Sequence, residues 1–395
     1  IISNLNIIRR KQMQNRNTSK EKTNKKPFDF VLCITVFLLL ALGITMVLSA
    51  SAPSALSKHA NSYYYVIRQA GFAVVGVGLM LVISKIDYRI YKRFYKVAYI
   101  VSIVALALVV VPGIGKEVNG AKRWINLGFG QFQPSEVAKI GLIVFYAAYL
   151  ADHKNELGSF LTGFVKPLIY LLPPIAILFF IQDHLSASII IIGIISIMML
   201  MAGTRLRYFL TAGVSLGSLG ILGMLMLAQV TGKGDFRLTR LTTFLDPWSE
   251  ATEGGWQVIQ GLYAIGSGGL FGVGLGQSRQ KYLYIPEPHN DFIFAVLAEE
   301  LGFVGCLVVI ALFAVFIWRG ILTALRAKDT FGSLLAVGIT SLIGLQAIMN
   351  IAVVTSSMPA TGISLPFFSY GGTALMILLC SVGVLLNISR SGSKV

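Results

Sequence analysis

Apolar runs long enough to cross a bilayer alternate with short polar loops along most of this chain. A membrane helix needs about 20 predominantly apolar residues. The pattern predicts spans near 29–50, 65–84, 97–113, 135–151, 167–182, 185–203, 207–230, 290–318, 331–356 and 366–388. The fold class expected is all-α: a polytopic membrane helix bundle of about ten transmembrane helices. A large loop, 231–289, falls between the seventh and eighth spans. Loops of that length inside a compact protein are usually functional. Its mixed apolar and glycine character suggests that it packs into or over the bundle.

Composition agrees with the pattern. The chain is 55% hydrophobic and only 13% charged, against about 25% charged in a soluble domain. Mean hydropathy is +0.75. Lysine and arginine outnumber aspartate and glutamate 33 to 17. The excess sits in short loops between apolar runs, so it is a topology signal and not a nucleic-acid signal. Lys85, Arg89, Lys92, Arg93 and Lys96 share one loop. Arg205 and Arg207 share another, and Arg319, Arg326 and Lys328 a third. With ten spans these loops and both termini lie on the cytoplasmic side, and loop 231–289 lies outside. Residues 1–27 read as a disordered basic cytoplasmic tail, 28–390 as the transmembrane domain and 391–395 as a second cytoplasmic tail. No cleavable signal peptide is expected. Cys33, Cys306 and Cys380 lie in apolar runs and give neither a disulfide framework nor metal-ligand spacing.

The chemistry-bearing positions are polar residues at span ends. In Tyr284–Phe294, Pro286 and Pro288 hold the chain extended. Asn290 is expected to cap the eighth helix, with Asp291 in its first turn. A carboxylate there either complements the helix dipole or serves a wet site. Arg68 and Gln69 begin the second span. Lys122, Arg123 and Trp124 lie in the loop before the fourth, and Glu136 and Lys139 share one face of that helix. Such cations either hold a phosphate group or anchor helices at the interface. Glu136 and Lys139 also read as a structural buried pair. The uncharged turn 358–373, with Ser369, Gly371 and Gly372, either offers hydrogen bonds to a sugar or phosphate or packs helices closely. The glycine run 266–278 lacks the lysine and the preceding strand of a phosphate loop.

The segments Asn119–Trp124, Gln133–Lys139, Pro286–Phe294 with Glu299-Glu300-Leu301-Gly302, and Pro359–Gly372 resemble those of the SEDS family, whose members are FtsW, RodA and SpoVE. The likeness spans nearly the whole chain beyond residue 27. Asn387–Arg390 and the basic start resemble FtsW or SpoVE more than RodA. The resemblance implies a peptidoglycan glycosyltransferase in the bacterial cytoplasmic membrane, polymerising lipid II at the outer face during division or sporulation. It implies a class B penicillin-binding protein and other divisome or sporulation proteins as partners. The family's essential aspartate falls on Asp291. The implied substrate-binding set is Arg68, Lys122, Arg123, Trp124, Glu136, Lys139, Glu287, His289, Ser369, Gly371 and Gly372. The family's Gln-Pro-Asp-x-Gly stretch is replaced here by Gln182-Asp183-His184-Leu185-Ser186, so no role is assigned to Asp183 or His184.

The implied chemistry is attack of a sugar 4-hydroxyl on a lipid-linked anomeric carbon, in one inverting displacement. It needs a base, for which Asp291 fits, and cations for the departing pyrophosphate. No carboxylate cluster demands a metal cofactor, although a divalent cation could also neutralise the pyrophosphate. The rival readings are a lipid II flippase, for which Glu299 and Glu300 give the footing, and a division scaffold.

Overall fold

The computed structural model describes residues 28–111, 114–118, 121–126, 131–213, 244, 246–250, 255–282 and 284–392. Helices α1 (Phe30–His59), α2 (Tyr64–Ile83), α3 (Arg89–Arg93) and α4 (Tyr95–Leu108) open the fold. A three-stranded antiparallel sheet follows: β1 (Gly115–Val118), β2 (Ala121–Asn126) and β3 (Gln131–Phe132), in the order β1-β2-β3. Helix α5 (Pro134–Asp152) leads to α6 (Leu161–Ile181), whose first and last turns are π-helical. Then come α7 (Leu185–Ala202), α8 (Trp256–Gly268), α9 (Ile293–Leu325), α10 (Thr330–Val354) and α11 (Gly372–Ser391).

Eight of these are long and apolar enough to cross a membrane: α1, α2, α5, α6, α7, α9, α10 and α11. The chain is a polytopic membrane protein. The expected span 97–113 is the shorter helix α4, about 21 Å at helical rise. The expected span 207–230 begins as helix at 206–213, and its remainder lies outside the described residues. So do Asn119, Gly120, the tail 1–27 and residues 231–243 of the large loop.

Two results differ from the pattern reading. The polar loop before α5 is a small sheet, so the all-α expectation holds for the membrane body but not for this appendage. Its strands are too short to leave a strong alternation, although their pairing is between chain neighbours. The large loop also carries a helix, α8, which packs against α9.

Local chemistry sets the helix ends. The Asp29 carboxylate accepts from the Leu32 amide at 3.0 Å and starts α1. Asp329 caps α10 in the same way at Gly332, 2.8 Å. Pro134 fits the first turn of α5, where no amide donor is needed. Helices α9, α10, α5, α7 and α1 supply the buried body, with α2 packed on α11 and α4 on α5. One end of the bundle is tied by three ion pairs: Arg319–Asp29 at the start of α1, Arg89–Asp329 between α3 and the start of α10, and Lys92–Asp152 between α3 and the end of α5. The basic loops lie there. The other end holds His59, the sheet and the Asp291 turn.

Candidate active site

Asp291 is placed by a turn, not by a helix. Glu287 takes a left-handed φ of +44° between the two prolines. The Asn290 amide then donates to the Glu287 carbonyl at 3.0 Å, and its side chain to the Glu287 carboxylate at 2.8 Å. Helix α9 starts at Ile293, with Phe292 at its cap position and no side-chain cap. The expectation that Asn290 caps the helix and that Asp291 sits in its first turn is therefore corrected. The Asn290 side chain is spent on Glu287, and the Asp291 carbonyl accepts from Asn350 at 2.7 Å. Asn350 also donates to the Ile363 carbonyl, so it ties Asp291 to the 358–373 turn.

The Asp291 carboxyl is pushed up to about 6, chiefly because burial strips its water. Its own backbone and the Gln257 side chain pull the other way; the Glu287 charge adds to the rise. It faces a polar cavity of about 830 Å³. The wall contains Arg68, Arg123, Trp124, Glu136, Lys139, Glu287, His289, Ser369, Gly371 and Gly372 together with Asp291. These residues come from five separate regions of the chain and meet in one space.

Lys122 is the candidate that the fold leaves out. It is exposed and does not line the cavity, whereas its neighbour Arg123 does. Both lie on β2, where the pairing with β1 jumps from Trp124 to Lys122 and leaves Arg123 as the unpaired residue of a bulge, which aims it differently from its neighbours. Arg123 donates from Nε to the Gln182 carbonyl at 3.1 Å and from a terminal nitrogen to the Asp183 carbonyl. That bond braces the turn that replaces the family's expected Gln-Pro-Asp-x-Gly stretch. Asp183 takes φ +47° there. Lys139, 2% exposed, pairs with Glu136 at 2.7 Å one turn away on α5. Arg68 lies over the Tyr64 ring at 4.5 Å. Glu287 pairs with Lys58 at 3.3 Å, both half exposed. The Ser369 hydroxyl accepts from the Leu365 amide, so it shapes its own turn. Gln69 grips the same turn, donating to the Ser369 carbonyl and accepting from the Gly371 amide. The Tyr370 amide donates to the His289 carbonyl at 2.8 Å and joins the two loops.

Glu299 and Glu300 do not face the cavity. Helix α9 breaks at Gly302, with φ +67° and ψ −168°, about 14 Å into the helix by its rise. The glycine run of the large loop fills the break. The amides of Val273 and Gly274 donate to the Glu299 and Glu300 carbonyls, and those of Phe303 and Val304 donate to the Gly269 and Leu270 carbonyls. A Cβ on either Gly272 or Gly302 would strike the other backbone. Non-helical backbone at membrane depth is thereby satisfied by protein. The Glu299 carboxylate accepts from the Ser278 hydroxyl and from the amides of Arg279 and Gln280. Glu300 pairs with Lys281 at 2.9 Å and accepts from Ser49. These two acids clamp the loop, and that use removes the footing they gave to the flippase reading.

Sequence reasoning missed Lys281, His184, Gln257 and Gln346. Lys281 follows Arg279 and Gln280 in a stretch that reads as solvated, and nothing local marks its burial. Gln257 carried no motif, and His184 lay in the 182–186 stretch, whose departure from the family's pattern left it without a role.

Comparisons agree with this architecture. Residues 30–394 match the FtsW/RodA/SpoVE family model, described as "Cell cycle protein". Stage V sporulation protein E of Bacillus subtilis (strain 168) is 43% identical over 368 residues, 93% of this chain and 98% of that protein. A "Probable peptidoglycan glycosyltransferase FtsW" of Geobacter sp. (strain M18) is 40% identical, covering 92% and 96%. A chain in a solved peptidoglycan synthase complex, described as coordinating polymerization and crosslinking, superposes with a TM-score of 0.76 at 28% identity, covering 92% and 98%. The rod shape determining protein RodA of Thermus thermophilus gives 0.66 at 27% identity, covering 93% and 98%. With a family match over nearly its whole length and relatives above 40% identity, this chain belongs to the FtsW/RodA/SpoVE family of cell cycle proteins.

Proposed function

We propose that this chain is a peptidoglycan glycosyltransferase that polymerises lipid II into glycan strands at the outer face of the cytoplasmic membrane. The observation that carries the reading is Asp291: a desolvated carboxyl on the wall of a cation-lined cavity. A carboxyl raised to about 6 is ionised at neutral pH, yet basic enough to take a proton from a sugar 4-hydroxyl. Arg68, Arg123 and Lys139 line the same space and would stabilise the pyrophosphate as it leaves. The basic loops gather at the opposite end of the bundle, which under the positive-inside rule supports cytoplasmic termini and an outward-facing cavity. Class membership and the synthase-complex neighbour support a class B penicillin-binding protein as partner, with other division or sporulation proteins around it.

Of the cavity's three carboxylates, Glu136 and Glu287 face lysines. Among the described residues no three histidine, cysteine or acidic side chains stand together as metal ligands.

The test is purified protein with its partner, given fluorescent lipid II in proteoliposomes. Polymer from the wild type and none from Asp291→Asn, with the variant folded and inserted, is expected. Leaflet exchange without polymer would replace the reading with a flippase. Neither activity would leave a scaffold.

A further inference from the structure

The end of the bundle opposite Asp291 carries a second cavity, of about 350 Å³. Three helices build it. Asp29, Phe30 and Val31 come from the start of α1, and Ser389 from the end of α11. Arg319, Thr323 and Arg326 come from the end of α9, spaced four and seven apart on one helical face. The volume lies at the low end of small-molecule sites, about 300–1,000 Å³. It has room for a polar head group but not for acyl chains.

Most polar groups in this wall are already used. Arg319 donates from Nε to the Asp29 carboxylate at 2.8 Å, and the other oxygen of that carboxylate accepts from the Leu32 amide. The negative charge is thus offset in place. The Ser389 hydroxyl accepts from the Asp29 amide and donates to the Leu386 carbonyl, while the Thr323 hydroxyl donates to the Arg319 carbonyl. Arg326 is the exception. Its amide is bonded to the Leu322 carbonyl, so its backbone is fixed. Its guanidinium is exposed on the cavity wall and has no hydrogen bond or ion pair among the described residues. A planar fork of that kind suits a phosphate.

The flank of the cavity is apolar. Phe30 and Val31 are 68% and 45% exposed, and Ile34, Phe37 and Leu38 continue the exposed face along α1. On α9, Leu325 and Ile321 are exposed beside the arginines. A ligand that seats here meets a cation at the cavity and hydrocarbon-facing side chains next to it. That combination fits an amphiphile and not a soluble anion. Basic pockets between helices at the cytoplasmic surface take anionic lipid head groups in this way.

We propose that this cavity binds the phosphodiester head group of an anionic phospholipid, with Arg326 on the phosphate and the acyl chains along the Phe30–Leu38 face of α1. Its placement in the cytoplasmic leaflet rests on the outward orientation of the Asp291 cavity; the binding itself does not.

The experiment is native mass spectrometry of the full chain, delipidated in detergent and titrated with dioleoylphosphatidylglycerol or dioleoylphosphatidylcholine. The variants are Arg326→Gln and, as a control, Lys328→Gln, which removes an exposed cation that does not line the cavity. Melting in detergent checks that both are folded. The wild type is expected to prefer the anionic lipid about fivefold, and Arg326→Gln should abolish that preference. Lys328→Gln should keep it within twofold. An excess of about a hundredfold of glycerol 3-phosphate, which has the anion without the chains, should not displace the lipid. Equal affinity for the anionic lipid in wild type and Arg326→Gln overturns the proposal. So does an equal loss in Lys328→Gln, which reduces the effect to diffuse surface charge, and so does displacement by glycerol 3-phosphate, which makes this a soluble-anion site. None of these readouts involves polymerisation, so a failed transferase assay leaves them standing.

Discussion

The Lys281–Glu300 pair offers a sharp test of how the large loop is held. Lys281 is 4% and Glu300 0% exposed at the side chain, 2.9 Å apart. All three ammonium protons are placed: on Glu300, on the Ser49 hydroxyl at 3.0 Å and on the Gly276 carbonyl at 2.7 Å. Lys281→Met leaves a buried carboxylate without its counter-charge, an error that costs about 3–5 kcal/mol in comparable sites. Glu300→Gln strands the ammonium instead, though an amide still accepts from Ser49, so its cost falls near the low end of that range. In the double variant no charge remains to be desolvated. The expected loss there is about 1–2 kcal/mol, from imperfect packing and weaker hydrogen bonds. The coupling energy should then be at least about 2 kcal/mol in favour of the pair. The assay is reversible unfolding in detergent or bicelles for wild type, both singles and the double. Additive singles, with coupling below about 0.5 kcal/mol, would refute the buried pair as the anchor of the loop.

Asp291 predicts two opposite pH dependences. As the base it must be ionised, so polymerisation should fall as pH drops through about 6 and not near 4; an acid limb near 4 would contradict the desolvated site. Because the folded carboxyl binds its proton more tightly than the unfolded one, stability should rise as pH falls from about 6 towards 4, and Asp291→Asn should remove that rise in a melting series. Arg123→Lys should loosen the 182–184 turn and raise the half-saturating lipid II concentration several-fold, since one ammonium cannot span the carbonyls of Gln182 and Asp183. Lys122→Ala should change it less than twofold, because that side chain is exposed and does not line the cavity; equal effects at 122 and 123 would contradict the placement of Arg123 alone on the cavity wall.

The sequence alone determined the membrane class, the placement of most spans and the end of the bundle where chemistry is concentrated. Those features are local: the bilayer selects apolar runs of a fixed length, and any charge at their ends stands out against them. Asp291, Arg68, Glu136 and Lys139 were legible for that reason. The i, i+3 spacing even carried the Glu136–Lys139 pair. What only the tertiary structure decided depends on partners far apart in the chain. Adjacency in one loop favoured Arg123 over Lys122 as the phosphate ligand, but its place on the cavity wall needed a β-bulge and a turn 60 residues away. Glu299 and Glu300 looked like a path through the membrane until Ser49, Lys281 and the glycine run closed on them. Asp291 left its expected helical turn because Glu287 captured the side chain that was to cap it. His184 stood out only as part of a stretch that departs from the family's pattern, and that departure gave it no role. The cavity it lines exists only once α1, α2, α5, the sheet and the two long turns have come together.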